Sequence, residues 1–344
     1  MAKSTTERYA LPLQNETPQP QPSPRKNLSK WVIAIVLVGA LIGYLVGNKD
    51  ISFTALSEAV SRFRLSAVLA ALGFILLQYT FTVLRIWALF PQRKSFRFFN
   101  VAHGVIYGQL LNTFAPARAG DVWKAIIFSQ SPQSQDRQDE KVTVMTSAGI
   151  ILADKVADIV ALIALIFLSG AFLVPGLNFQ FPKLNAWVLA SLPLMAFTGA
   201  VLWKKTLKNR FTAISNWAGH FKKGLGGLTD YRKIMAAVFI GMGAWAFEAI
   251  ALQLLCASQG LSMGFDQSIF VLCVLNLAIA VPVSLANLGA FEASVVFALG
   301  TLGLQTAPAL AVATVHHGIH LTAVVVYSSA IAGLRLLPAV ARAN

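Results

Sequence analysis

Asn112, Pro116, Arg118, Gly120, Asp121 and Lys124 share one short stretch, QLLNTFAPARAGDVWK at 109–124. It lies between an apolar run at 98–111 and a shorter one at 122–128. Pro116 has no amide proton to donate and Gly120 has no Cβ, so a continuous helix is not expected through these residues. In a membrane protein, broken backbone is tolerated only where it is buried in protein or lines a wet cavity. Ionisable groups at that depth mark functional sites by default. The chemistry on offer is recognition of a charged group, and the stretch reads as the tip of a re-entrant hairpin.

Other polar groups interrupt apolar runs further along. Asp154, Lys155 and Asp158 fall inside the run 143–174, with Asp154 about 16 Å along a helix that starts at Thr143. Asp154 and Asp158 share a helix face, and Lys155 can bend back to Asp158. They bind substrate or form a purely structural ion-pair cluster. Glu248 lies in the run 234–255, and His316, His317 and His320 lie in the last run. Glu248 is a site residue or a neutral carboxyl bonded to nearby backbone. His316 and His320 have the i, i+4 spacing that suits a metal, but no motif such as HExxH brings a carboxylate with them. They are read as packing or proton-linked polar contacts, with His316 the substrate-site candidate; no metal and no cofactor is expected. A second break, AlaAsnLeuGlyAla at 286–290, carries Asn287 and Gly289 and is followed by Glu292. Lys124 is read most simply as a cation reaching for the interface, Arg118 as functional.

The elements that must hold these residues are membrane helices. Of 344 residues, 56% are hydrophobic and only 12% charged, with several runs long enough to cross a bilayer. The formal net charge of +14 invites a nucleic-acid reading, but the lysines and arginines lie in loops and tails without any nucleic-acid motif. Cytoplasmic loops of membrane proteins collect such charge. Cys256 and Cys273 have no metal or redox spacing and read as small buried hydrophobes.

In chain order, residues 1–30 form a disordered polar tail and 31–46 the first span. An interfacial amphipathic helix follows at 51–63, then a span at 65–90 and the hairpin region at 98–128. Further spans fall at 143–174, 186–203, 234–255 and 309–334, with a second hairpin at 269–304. Charge decides the topology. If 98–114 crossed completely, the basic segment 204–233 would face outside, against the positive-inside bias. As a helix, 122–128 is only about 10 Å long, too short to cross. Both hairpins must enter and return to keep the basic segments on one side. The fold class is therefore all-α and polytopic. About six spanning helices and two re-entrant helical hairpins form an inverted-topology repeat, 31–174 and 186–338, with a short tail at 339–344.

The run Asn112, Pro116, Arg118, Gly120, Asp121, Lys124 resembles the first motif of the lysylphosphatidylglycerol synthase transmembrane-region family, a flippase-like domain with many stand-alone relatives. Asp154, Lys155 and Asp158 match its acid–base pair and later Asp, and Pro282, Gly289 and Glu292 its second-half break. The resemblance covers roughly 30–338. Asp121 stands where the family has Glu, Lys124 where it has Arg, and Asn287 where it has Gly; no soluble aminoacyl-transfer domain is found. The resemblance implies lipid translocation; with no catalytic motif in the sequence, no enzymatic activity is expected. In that reading Arg118, with Lys124 or Lys155, contacts a head-group phosphate, while Asp121, Glu248 and Glu292 complement cationic groups or hold the arginine. Partners are then membrane lipids with phosphate-bearing head groups, and no nucleic acid; a homo-oligomer and a lipid-modifying enzyme partner are further candidates. The expected location is the bacterial inner membrane, with both termini cytoplasmic. The alternatives are a membrane subunit in lipid or lipid-linked sugar modification, and a proton-coupled solute transporter.

Overall fold

The computed structural model describes residues 53–90, 98–114, 119–130, 142–171, 219–226, 230–279 and 285–340. The N-terminal tail, the spans at 31–46 and 186–203, most of the basic segment, the residues Pro116, Arg118 and Pro282, and the last four residues lie outside that set. Within it the structure is helical, and no strand occurs among the described residues.

Helix α1 (Phe53–Ser61) is short. Its Glu58 pairs with Arg62 at 2.7 Å, four residues on. Both side chains are exposed, and the pair contributes little. What fixes α1 is Gln259, whose amide donates to the carbonyl of Ala59 at 2.8 Å from the far side of the chain.

Helix α2 (Leu65–Leu89) is long and apolar enough to cross a bilayer. It stops at Phe90, whose extended backbone (φ −61°, ψ 135°) is what the following Pro91 demands. The pair α3 (Phe98–Phe114) and α4 (Ala119–Gln130) folds back on itself as an antiparallel hairpin. Helix α5 (Val144–Ser169) opens on Thr143, whose hydroxyl accepts the Thr146 amide at 3.2 Å, and closes on Gly170 at φ 73°. Helix α6 (Tyr231–Ser258) is capped by Asp230, which accepts the Arg232 amide at 3.1 Å. Then come α7 (Phe265–Ile279), a single 3₁₀ turn at Leu285–Asn287, α8 (Ala290–Thr301) and α9 (Thr306–Val340). By length and composition α6 and the 306–334 part of α9 are also candidate spans; α5 matches them in length but carries three charges.

Because lipid tails are as apolar as leucine, helix association in a membrane relies on close packing at small residues. The broadest contact joins α2 and α6. Gly243 of α6 lies flat against the Phe81 ring of α2, and Phe247 takes Phe81 edge-on and Phe74 in a stack. The α3–α4 hairpin uses the same device: Gly104 faces Phe128, and Gly108 faces both Lys124 and Gly120. A methyl group on Gly120 would overlap the Gly108 carbonyl oxygen. The short helical stretch 219–226, from the basic segment, packs through Gly224 onto Thr146 and Gly149 at the start of α5. The 285–287 turn lies against α3, so the second break reaches the first hairpin.

Candidate functional site

Two polar centres form inside this apolar bundle. The first is built on Arg85, on α2 a turn before its end. The guanidinium Nε donates to Asp154 Oδ1 at 2.7 Å, Nη2 reaches Asp154 Oδ2 at 3.5 Å, and Nη1 donates to Asp158. Arg85 is 3% exposed. Gly241 of α6 makes the room: a Cβ there would meet Arg85 Cδ at 3.3 Å and the Ala161 methyl at 2.9 Å. The Trp245 indole donates to the Asp158 carbonyl at 3.4 Å, which ties α6 to the same turn of α5. A planar fork spanning two carboxylates one helical turn apart is a task for arginine and not for lysine.

One arginine leaves one negative charge over, and the neighbouring lysines lie within electrostatic reach. On α4, Lys124 Nζ donates to Asp121 Oδ1 at 2.8 Å, and the Asn112 amide donates to the same oxygen at 3.2 Å. Lys124 is buried, lying along Gly108 of α3, and does not reach for the interface. The charge of Lys155 acts on Asp121, Lys124 and Asp158, and that of Asp154 on Lys124. The sequence reading bends Lys155 back to Asp158; in the structure Arg85 takes that carboxylate instead. Lys155 makes no ion pair within 4.0 Å among the described residues. Arg85, Lys124 and Lys155 thus offset Asp121, Asp154 and Asp158 across α2, α4 and α5.

The second centre gathers on α6, α8 and α9. At the break, Ala286 and Asn287 have left-handed backbone (φ 52° and 57°) and Gly289 has φ 89°. Glu292 reaches back to accept the Gly289 amide at 2.7 Å, one half of a capping box, which sharpens the start of α8. Its other oxygen lies 2.6 Å from His317 Nδ1, and the Phe291 ring stacks on His317 at 4.4 Å. One face further round α9, His316 and His320 meet Glu248 of α6, with His320 Nε2 3.4 Å from Glu248 Oε1. Tyr79 of α2 closes edge-on against His320.

The family model for the lysylphosphatidylglycerol synthase TM region matches residues 31–328. The chain belongs to that family. No curated protein matches it.

For this lysylphosphatidylglycerol synthase TM-region chain, the first motif survives as a contact set. Asn112, Gly120, Asp121 and Lys124 touch one another across the α3–α4 hairpin, while Pro116 and Arg118 lie outside the described residues. Asp154 and Asp158 join them through Lys155 and Lys124; Glu248 and His316 do not, and belong to the second centre with Gly289 and Glu292. Asn287, where the family pattern has glycine, occupies left-handed backbone, which glycine adopts freely and asparagine more readily than other side chains. Arg85 is absent from the residues that spacing singles out. It ends an apolar run with Arg93, Lys94 and Arg97 close behind, so it reads as one more interfacial cation. Helical phase does not find it: six residues after Tyr79, Arg85 lies about 120° round the helix from it, and it is buried because the last turns of α2 (Val83, Ile86, Ala88, Leu89) are buried nearly all round.

Proposed function

We propose that this protein is a flippase-like transporter of a membrane lipid, moving a phosphate-bearing head group between the leaflets of the bacterial inner membrane. One observation carries the reading: a balanced set of six charged side chains inside the apolar helix bundle, Arg85 paired with Asp154 and Asp158, Lys124 paired with Asp121, and Lys155 within electrostatic reach of both groups. Isolated charge at bilayer depth costs roughly 3 kcal/mol or more per group even on lenient scales, so such a set persists when it serves a polar path. By sequence Arg118 directly precedes α4, which carries Asp121 and Lys124 of this set, and a further cation of that kind is what capture of a phosphate requires. The start of α4 adds the partial positive charge of a helix N-terminus.

Two further features support the expected topology of re-entrant hairpins in an inverted repeat. Helix α4 is about 18 Å long, well short of a bilayer. The basic stretch at 219–226 docks on the start of α5, which keeps it on the same side as the loop that leaves α4. With the basic segments inside, both termini are cytoplasmic.

The test uses protein in vesicles that hold fluorescent phospholipids of several head groups, with an impermeant quencher added outside. Loss of the protected inner-leaflet signal should be faster with the protein than without it, and Arg118→Ala should slow it. Equal rates for the two proteins remove Arg118 from the path; no acceleration by the natural protein with any phospholipid removes the function.

A further inference from the structure

Glu248, His316 and His320 converge in the interior of the second half, apart from the six charged side chains on which the transport reading rests. One ligand atom from each lies within 4.8 Å of the other two. The sequence shows the two histidines one helical turn apart but no acid beside them; α6, packing on α9, brings the acid.

Three observations define what the cluster lacks. His316 is fully buried, and neither ring nitrogen has a hydrogen-bond partner. Buried polar atoms without partners are rare, because each forfeits its hydration. His320 Nε2 is also without a hydrogen bond, although it faces Glu248 at 3.4 Å. Finally, Glu248 is 5% exposed and has no lysine or arginine within 4.0 Å among the described residues. A buried carboxylate is normally paired with a cation or bound to a metal.

One ligand class answers all three. Two imidazoles and a carboxylate are a common donor set for a divalent transition ion, with bonds of about 2.0–2.2 Å. Tetrahedral bonds of that length separate neighbouring ligand atoms by about 3.4 Å. The His320–Glu248 edge already has that length. All three ligand atoms lie within 4.8 Å of one another. The site's walls are the Phe291 ring, at 5.5 Å from His316 and 6.1 Å from His320, and Tyr79. Such walls keep competing water low.

We infer that Glu248, His316 and His320 form a binding site for a divalent transition-metal ion of the zinc class, clamping α6 to α9. The ion supplies the missing positive charge beside Glu248 and takes the imidazole lone pairs that have no proton to meet. The inference is independent of lipid transport, and its test needs no transport assay.

Untagged protein, purified in detergent and stripped with chelator, is titrated with Co²⁺ and then desalted. One Co²⁺ per chain should be retained, with visible d–d bands of a low-coordinate ion that vanish when Zn²⁺ displaces it. His316→Ala and Glu248→Gln should each weaken retention by about tenfold or more. His320→Gln makes the same comparison where a smaller side chain disturbs folding, and His317→Ala, next to but outside the donor set, should retain the ion. No retained Co²⁺ in the natural protein overturns the site. So does equal retention by the natural protein and any monodisperse variant of the three ligands.

Discussion

The two polar centres solve the same problem, charge inside an apolar bundle, in opposite ways. Around Arg85 every carboxylate meets a cation: Asp154 and Asp158 share the guanidinium, and Asp121 holds Lys124. Around Glu248 the acid meets imidazole and no lysine or arginine among the described residues, and neither nitrogen of His316 has a hydrogen-bond partner. The first centre is complete in protein alone, so its geometry is set by strong, directional pairs. The second is complete only with something added. A paired centre resists the loss of any member, whereas an under-satisfied one should respond to what binds it.

The largest effect should come from breaking the first centre. Arg85→Ala strands two acids, one of them almost fully buried, and should cost about 3–5 kcal/mol of stability. Denaturant titration in micelles measures it. A loss below about 1 kcal/mol would mean that water reaches Asp154 and that the two centres differ less than their pairing suggests.

Next is the hairpin that carries Asp121 and Lys124 to this centre. Gly120→Leu forces a side chain against the Gly108 backbone, which cannot swing aside. Spreading α3 from α4 should cost about 1–3 kcal/mol. It should also part the Asn112–Asp121 contact, read as a loss of lipid movement larger than the loss of stability explains. A variant that keeps full transport would separate the hairpin from the site.

The smallest effect tests the second half. Glu292→Gln keeps an oxygen for the Gly289 amide but gives up the charge opposite His317, and should cost on the order of 1 kcal/mol. The same unfolding titration checks it. A loss comparable with that of Arg85→Ala would show that the second half also depends on a buried ion pair, and would erase the contrast.

Much of the architecture was legible because its causes are local. Hydropathy marks the spans, Pro91 stops α2, Thr143 and Asp230 open α5 and α6, and the glycine-bearing breaks separate the short helices. The hairpin set of Asn112, Gly120, Asp121 and Lys124 was legible for the same reason, since its members are close in the chain. Arg85 was not: its partners are 69 and 73 residues away, and nothing near it in sequence distinguishes a buried arginine from an interfacial one. Lys124 shows the converse error, a cation expected at the interface that lies buried along Gly108.

By itself the sequence determined a helical membrane protein of the lysylphosphatidylglycerol synthase TM-region family, and the charges and breaks from which any site must be made. Only the tertiary structure decided which charge meets which. Electrostatic pairing and metal geometry depend on distance in space, and distance across a bundle is set by how helices pack. Asp158 therefore has Arg85 as its partner and not Lys155, and two histidines without an acid become three ligands once α6 lies against α9.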